Sequence, residues 1–372
     1  MLKSGVLRLL TPVLLGAALT GCGAAGAQAS SAMATTSAPK PSHVNSMAVV
    51  VKPLPTTGAS TLTGVPGDLL IGAAASPPSG SGQGYLVVDH IGSRRLDRIP
   101  LASGANAFLV AVSGRMVYVP TLQGQTYVVS LSANRVVHTF PSPVGARMAT
   151  LAQAGHLLLI TGPNNVTAYS LPHMNQAWQL NVGGNAMAVA GSYAYLSGNM
   201  ADATQVIDVA TGRIVAEIPV GHIEDSAYDA QMHTLWLADW TNGDMTVVNT
   251  LTNRVVTTIQ EAEGGGFSMS NMMASPGGFM QITVGPSGRH VYAASFSGNI
   301  MVYKAVQNVF EKNIGTNLPM AKLSGIAIDP SGQYAYVTVE NLKETISVAL
   351  KTGRVASVQP NLMSNRWVTF GS

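Results

Sequence analysis

Residues 328–338 read Ile328-Asp329-Pro330-Ser331-Gly332-Gln333-Tyr334-Ala335-Tyr336-Val337-Thr338, a tight Pro-Ser-Gly turn that runs straight into an alternating aromatic and aliphatic strand. A relative of it stands at Val284-Gly285-Pro286-Ser287-Gly288-Arg289-His290-Val291-Tyr292. Proline presets the first φ of such a turn and glycine supplies a positive one, while Tyr and Val suit a pleated, half-buried strand. Aligning the rest of the chain on this unit yields seven copies, and self-similarity at that spacing decides the architecture.

The aromatic-type strand is expected at residues 69–73, 116–119, 157–160, 193–196, 234–237, 290–293 and 334–337. A second strand follows each, at 85–89, 126–131, 166–171, 205–209, 245–249, 300–303 and 345–349. Then comes a polar turn, often with Gly or Asn before Arg, and a third strand, as at Thr211-Gly212-Arg213, Asn253-Arg254 and Gly353-Arg354. Gly and Asn tolerate the positive φ of tight hairpins. A smaller apolar strand precedes each aromatic one except the first, at 106–112, 148–152, 185–189, 226–229, 280–284 and 323–328, and a seventh copy at 366–370 has no aromatic strand after it. The two orphans complete each other. The expected fold is all-β, a seven-bladed propeller of four-stranded blades over residues 66–372, closed by the C-terminal strand joining the N-terminal blade.

The Pro-x-Gly turns and Tyr-Val strands at 284–292 and 328–338 resemble the YVTN-type β-propeller repeat, within the wider WD40/YVTN-like class. The stretch from Val206 to Gly221, with Val206-Ile207-Asp208 and Gly212-Arg213-Ile214-Val215, resembles the second half of the same repeat. The first blades depart from it, with Ser113-Gly114-Arg115 and Ala154-Gly155-His156 in place of the Pro-x-Gly turn. The resemblance spans about residues 67–372 and implies a fold more than a function. That family covers periplasmic and surface-layer proteins, lactonase-like enzymes, and the propellers of methylamine dehydrogenase and nitrous oxide reductase. It also implies that ligands meet the face made by the loops leading into the innermost strands and those between strands two and three.

On that face two segments carry chemistry. The longest loop, 260–279, holds Glu261, Glu263, Met269, Met272 and Met273. Long loops in compact folds are commonly functional, and clustered thioethers suit soft Cu(I). Methionine is equally a plastic filler that packs against a blade or partner. No cofactor is otherwise expected. The second segment is Gly221-His222-Ile223-Glu224-Asp225 with Asp239-Trp240-Thr241-Asn242-Gly243-Asp244. An imidazole beside carboxylates suits metal binding or acid–base work; the same residues also build turns and cap a blade top. No His-x-x-x-His, Cys-x-x-Cys-His, Gly-x-Ser-x-Gly or phosphate loop occurs, and no catalytic residue is assigned.

Lys3, Arg8 and the apolar stretch from Val6 to Ala18 lead to Leu19-Thr20-Gly21-Cys22, which resembles a bacterial lipobox. Residues 1–21 are therefore expected to be a lipoprotein signal peptide and Cys22, the single cysteine, the lipidated residue. Gly23 in place of an aspartate leans towards the outer membrane. Residues 22–65, rich in Ala, Ser, Thr and Pro, read as a flexible tether, with an ordered strand near Met47 to Val51 as the alternative.

The chain has 20 Lys+Arg against 17 Asp+Glu, and loss of Lys3 and Arg8 leaves 18 against 17, so there is no basic field for nucleic acid. Charged residues make up 10% of the chain, and a surface solvated by neutral polar groups changes little in charge at low pH. The expected protein is a monomeric, lipid-anchored binding or scaffolding module of the bacterial cell envelope, periplasmic or at the exterior face. Its partner would be an envelope protein or a small molecule. A copper-binding or oxidoreductase-accessory role is the alternative, and a lactonase-like hydrolase follows from resemblance alone.

Overall fold

The computed structural model describes residues 57–74, 82–198, 200–260, 278–318, 320–359 and 367–371. Their strands form seven antiparallel sheets, six of four strands and one of five. The innermost strands of blades two to seven are Ala111–Ser113, Met148–Ala152, Ala186–Ala190, Ile223–Asp229, Phe279–Val284 and Leu323–Ile328. In the first blade that place is taken by Val368–Gly371, which pairs with Leu69–Ala74 from Leu69↔Gly371 to Gly72↔Val368. Each innermost strand touches the next around the full circle, so the chain is a closed seven-bladed β-propeller. The orphan-strand argument holds.

Local sequence explains the blades. The residue before every fourth strand has a left-handed backbone, with φ from +50° at Asn134 to +69° at Gly212, and Asn253, Asn308 and Gly353 repeat it. Arg94 (+56°) and Met174 (+57°) adopt the same conformation in blades one and three, where the sequence shows no Gly or Asn. A bulge interrupts the pairing of the third and fourth strands in blades two to seven, coiling each sheet as a propeller requires. Both faces of the inner strands are buried, whereas the fourth strands of blades two to seven are mostly exposed or half-buried. The apolar residues gather into seven clusters, one between each adjacent pair of blades, so the core is a ring and not a centre.

The structure differs from the sequence reading in two places. The innermost strand of blade two is only Ala111–Ser113, because residues before it bond to loops: Asn106 N–H donates to Gln123 Oε1 at 3.0 Å and Leu109 N–H to Arg147 O at 3.0 Å. The ordered sheet also begins ahead of residue 66. Thr57–Ala59 adds a fifth, outermost strand to blade one, paired as Thr57↔Asp97 and Ala59↔Arg95. Residues 60–65 then strap the seam between blades seven and one. Thr61 N–H donates to Gln359 Oε1 at 2.6 Å, Thr63 N–H to Ser357 Oγ at 2.7 Å, and Leu62 is buried with Leu70, Tyr336 and Val368. Thr and Ser, which make this stretch look like a linker, also serve as edge-strand residues whose hydroxyls bond sideways.

Candidate binding face

The chain enters every innermost strand at the same end of the ring, and irregular backbone there sets which side chains reach the mouth. In blades three and four, Arg147 and Asn185 stand one residue before the first paired positions, Met148↔Thr161 and Ala186↔Ser197. In blade five a bulge between Ile223 and Asp225 leaves Glu224 out of the ladder. In blade six a wider one, between Phe279 and Ile282, releases Gln281. Bulges of this kind re-aim side chains.

These residues form a linked polar rim. Arg147 Cζ lies 5.0 Å from the centre of the Phe108 ring, and Nη1 lies 3.9 Å from Glu224 Oε1. Asn185 Nδ2 donates to Glu224 Oε2 and to Glu224 O, both at 3.1 Å. Asp225, buried behind Glu224, accepts from the Ile282 N–H at 2.8 Å. Burial pushes its carboxyl well above the usual carboxylate range, against the pull of the Ile282 and Ser226 N–H groups. Gln281 crosses to two other blades. Its Oε1 accepts from Ile326 N–H at 2.9 Å and Val368 N–H at 3.0 Å, and its Nε2 donates to Val368 O at 2.9 Å. Asn185, Asp225 and Gln281 thus stitch blades four to five, five to six, and six to seven and one.

The six residues expected on this face divide by role. The loops do share one end of blade five, since Trp240 N–H donates to His222 O at 3.1 Å. Asp239 closes its own turn, accepting from Thr241 N–H at 2.6 Å and Asn242 N–H at 3.0 Å, and Asp244 O accepts from Asp239 N–H at 2.9 Å. Trp240 packs edge-on against Phe296 with centroids 5.3 Å apart, and Lys322 Nζ lies 5.6 Å from the Phe296 ring centre. His222 sits at φ +59° with its ring nitrogen 3.9 Å from the exposed carboxylate of Asp202. Glu224 and Asp225 are the two that enter the rim. Among the described residues no group of three or more His, Cys, Asp or Glu is placed to hold a metal ion. Met269, Met272, Met273 and Cys22 lie outside the described residues.

Phe108, Arg147, Asn185 and Gln281 were not singled out from sequence. A signal for them existed: each stands within two residues of the start of a predicted innermost strand. A cavity of 260 Å³ opens at the same end between blades three and four, lined by Arg147, Asn185, Pro163 and Met200 among others. A larger one of 410 Å³ lies at the opposite end between blades six and seven, where His290 Nε2 is 3.1 Å from Glu311 Oε2. The smaller cavity adjoins the rim. Among the described residues no helix is long and apolar enough to cross a membrane.

No family model matches the chain, and no curated protein matches it. Among solved structures it is similar to a chain of hydrazine synthase from Kuenenia stuttgartiensis, with a TM-score of 0.61 over 70% of this chain and 88% of that one. The two share 14% identity, so the likeness shows the propeller fold alone.

Proposed function

We propose that the protein is a non-catalytic binding or scaffolding propeller of the bacterial cell envelope, held to the membrane by a lipid on Cys22. It engages an envelope protein or small molecule at the end of the ring that carries Trp240, through the rim of Phe108, Arg147, Asn185 and Glu224. The observation that carries this reading is the convergence of those four side chains, from four consecutive blades, at one end of the ring. Polar residues converging on a rigid concave face are the usual form of a recognition site. The two Pro-x-Gly turns at 286–288 and 330–332 support placement among YVTN-type propellers.

Photo-crosslinking in cells tests the face. A crosslinking residue at Trp240 should yield a discrete adduct, and one at Lys351, on the opposite end, should not. Equal labelling at both ends would remove the assignment. The anchor is tested by fractionation: the wild type should enter the detergent phase and Cys22→Ala should remain aqueous.

A further inference from the structure

We infer that the cavity between blades three and four binds a small organic monocarboxylate through Arg147; this deepens the proposed binding role and rests on it. Among the described residues that line it, Arg147 is the one that carries a charge. Its guanidinium carbon lies 5.0 Å from the centre of the Phe108 ring, a cation–π contact that holds the group without using any N–H donor. Among the described residues it makes no hydrogen bond: the facing carboxylate, Glu224, stays at 3.9 Å and turns its other oxygen to Asn185. A planar fork of donors, held at its carbon and without a bonded acceptor, is the shape that a carboxylate completes with two parallel N–H···O bonds.

Glu224 adds selectivity. Its charge beside Arg147 repels a second negative charge on the ligand, which favours a monoanion over a phosphate dianion. Asn185 and glycine backbone supply further polar surface, and the remaining side chains are apolar. Pro163 and Ala201 form walls, and the rim carries Met200, 90% exposed, with Val144, 74% exposed, next to Gly145. An exposed thioether can adapt to an alkyl or aryl body. The floor is bare backbone: a Cβ on Gly183 would fall 2.0 Å from Pro163 O, and one on Gly184 would fall 2.2 Å from Ser197 O. At 260 Å³ the cavity lies just below the roughly 300–1,000 Å³ of sites for drug-sized molecules, so the ligand is an acid of a few carbons or the free C-terminus of a peptide.

Calorimetry on the purified full chain tests this with hexanoate, hexanamide and hexyl phosphate, and with one short peptide as its free acid and its C-terminal amide. Hexanoate should bind and hexanamide should not. Arg147→Gln should weaken hexanoate by about tenfold or more, and Arg147→Lys should fall between, with unchanged melting temperatures showing both variants folded. Preference for the free-acid peptide over hexanoate assigns the source as a chain terminus, and the reverse assigns a metabolite. Equal binding of hexanoate and hexanamide, full binding by Arg147→Gln, or no millimolar binding by any carboxylate would overturn the inference. Crosslinking at Trp240 would survive all of these if only the ligand class is wrong.

Discussion

Asp89 makes the propeller's stability depend on pH in an unusual direction. It lies in the third strand of blade one, between Leu70 and Leu96 on the flanking strands, with no exposed surface. Among the described residues neither carboxylate oxygen has a donor at bonding geometry, and the Ser60 hydroxyl of the strap is near enough to ease ionisation. Burial therefore pushes the carboxyl up to about 6 from an ordinary 3.8. A carboxyl that holds its proton more tightly when folded stabilises the fold fully below its unfolded pKa, and that stability is lost as pH rises through the folded value. A shift of roughly two units corresponds to about 3 kcal/mol between the two ends. Asp68, raised by burial and by Asp329, and the buried Asp225 act in the same direction. Urea unfolding followed by tryptophan fluorescence, at fixed ionic strength from about pH 4.5 to about pH 7.5, should show the wild type losing stability as pH rises. Asp89→Asn, which removes the charge and keeps the shape, should be more stable than wild type at the upper end by up to about 3 kcal/mol and should flatten the profile across that window by about 2 kcal/mol. Parallel profiles for the two proteins, or a wild type that gains stability across the window, would refute the reasoning.

Gln281→Ala should cost about 3 kcal/mol or more, because it leaves the buried Ile326 and Val368 amides and the Val368 carbonyl without partners. Hydrogen exchange at Val368 should accelerate with it, and a loss under about 1 kcal/mol in denaturant would count against the stitching role. Gly64→Ala places a Cβ 1.5 Å from the buried Tyr336 hydroxyl and 2.9 Å from Ile91 Cγ2, so thermal unfolding should show about 1–3 kcal/mol of destabilisation at the closing seam. Arg94→Asn should raise stability by several tenths to about 1 kcal/mol, since Asn tolerates the +56° φ that three other blades already meet with Asn; an unchanged midpoint would show that Arg94 carries no strain.

The strand series, the turn chemistry and the closing pair were legible in the sequence because each depends on local rules. A period-two pattern makes a strand, Gly or Asn permits a left-handed turn, and an unpaired strand at each end implies a partner. The strap was not legible. Thr57 to Val65 has the composition of a linker, and only the neighbouring edge of blade one and the side chains of Ser357 and Gln359 give it a place.

The rim divides in the same way. Glu224, Asp225 and Trp240 could be placed on one face from the strand order, yet their roles depended on distance. Asp239 and Asp244 serve their own turn, while Glu224 meets Arg147 and Asn185, which lie 77 and 39 residues earlier in the chain. Sequence by itself determined a closed ring of seven blades, because repetition and alternation are properties of neighbours along the chain. Which side chains meet at its mouth was decided by tertiary structure alone, since bulges at Glu224 and Gln281 shift the register by steps that no local pattern announces.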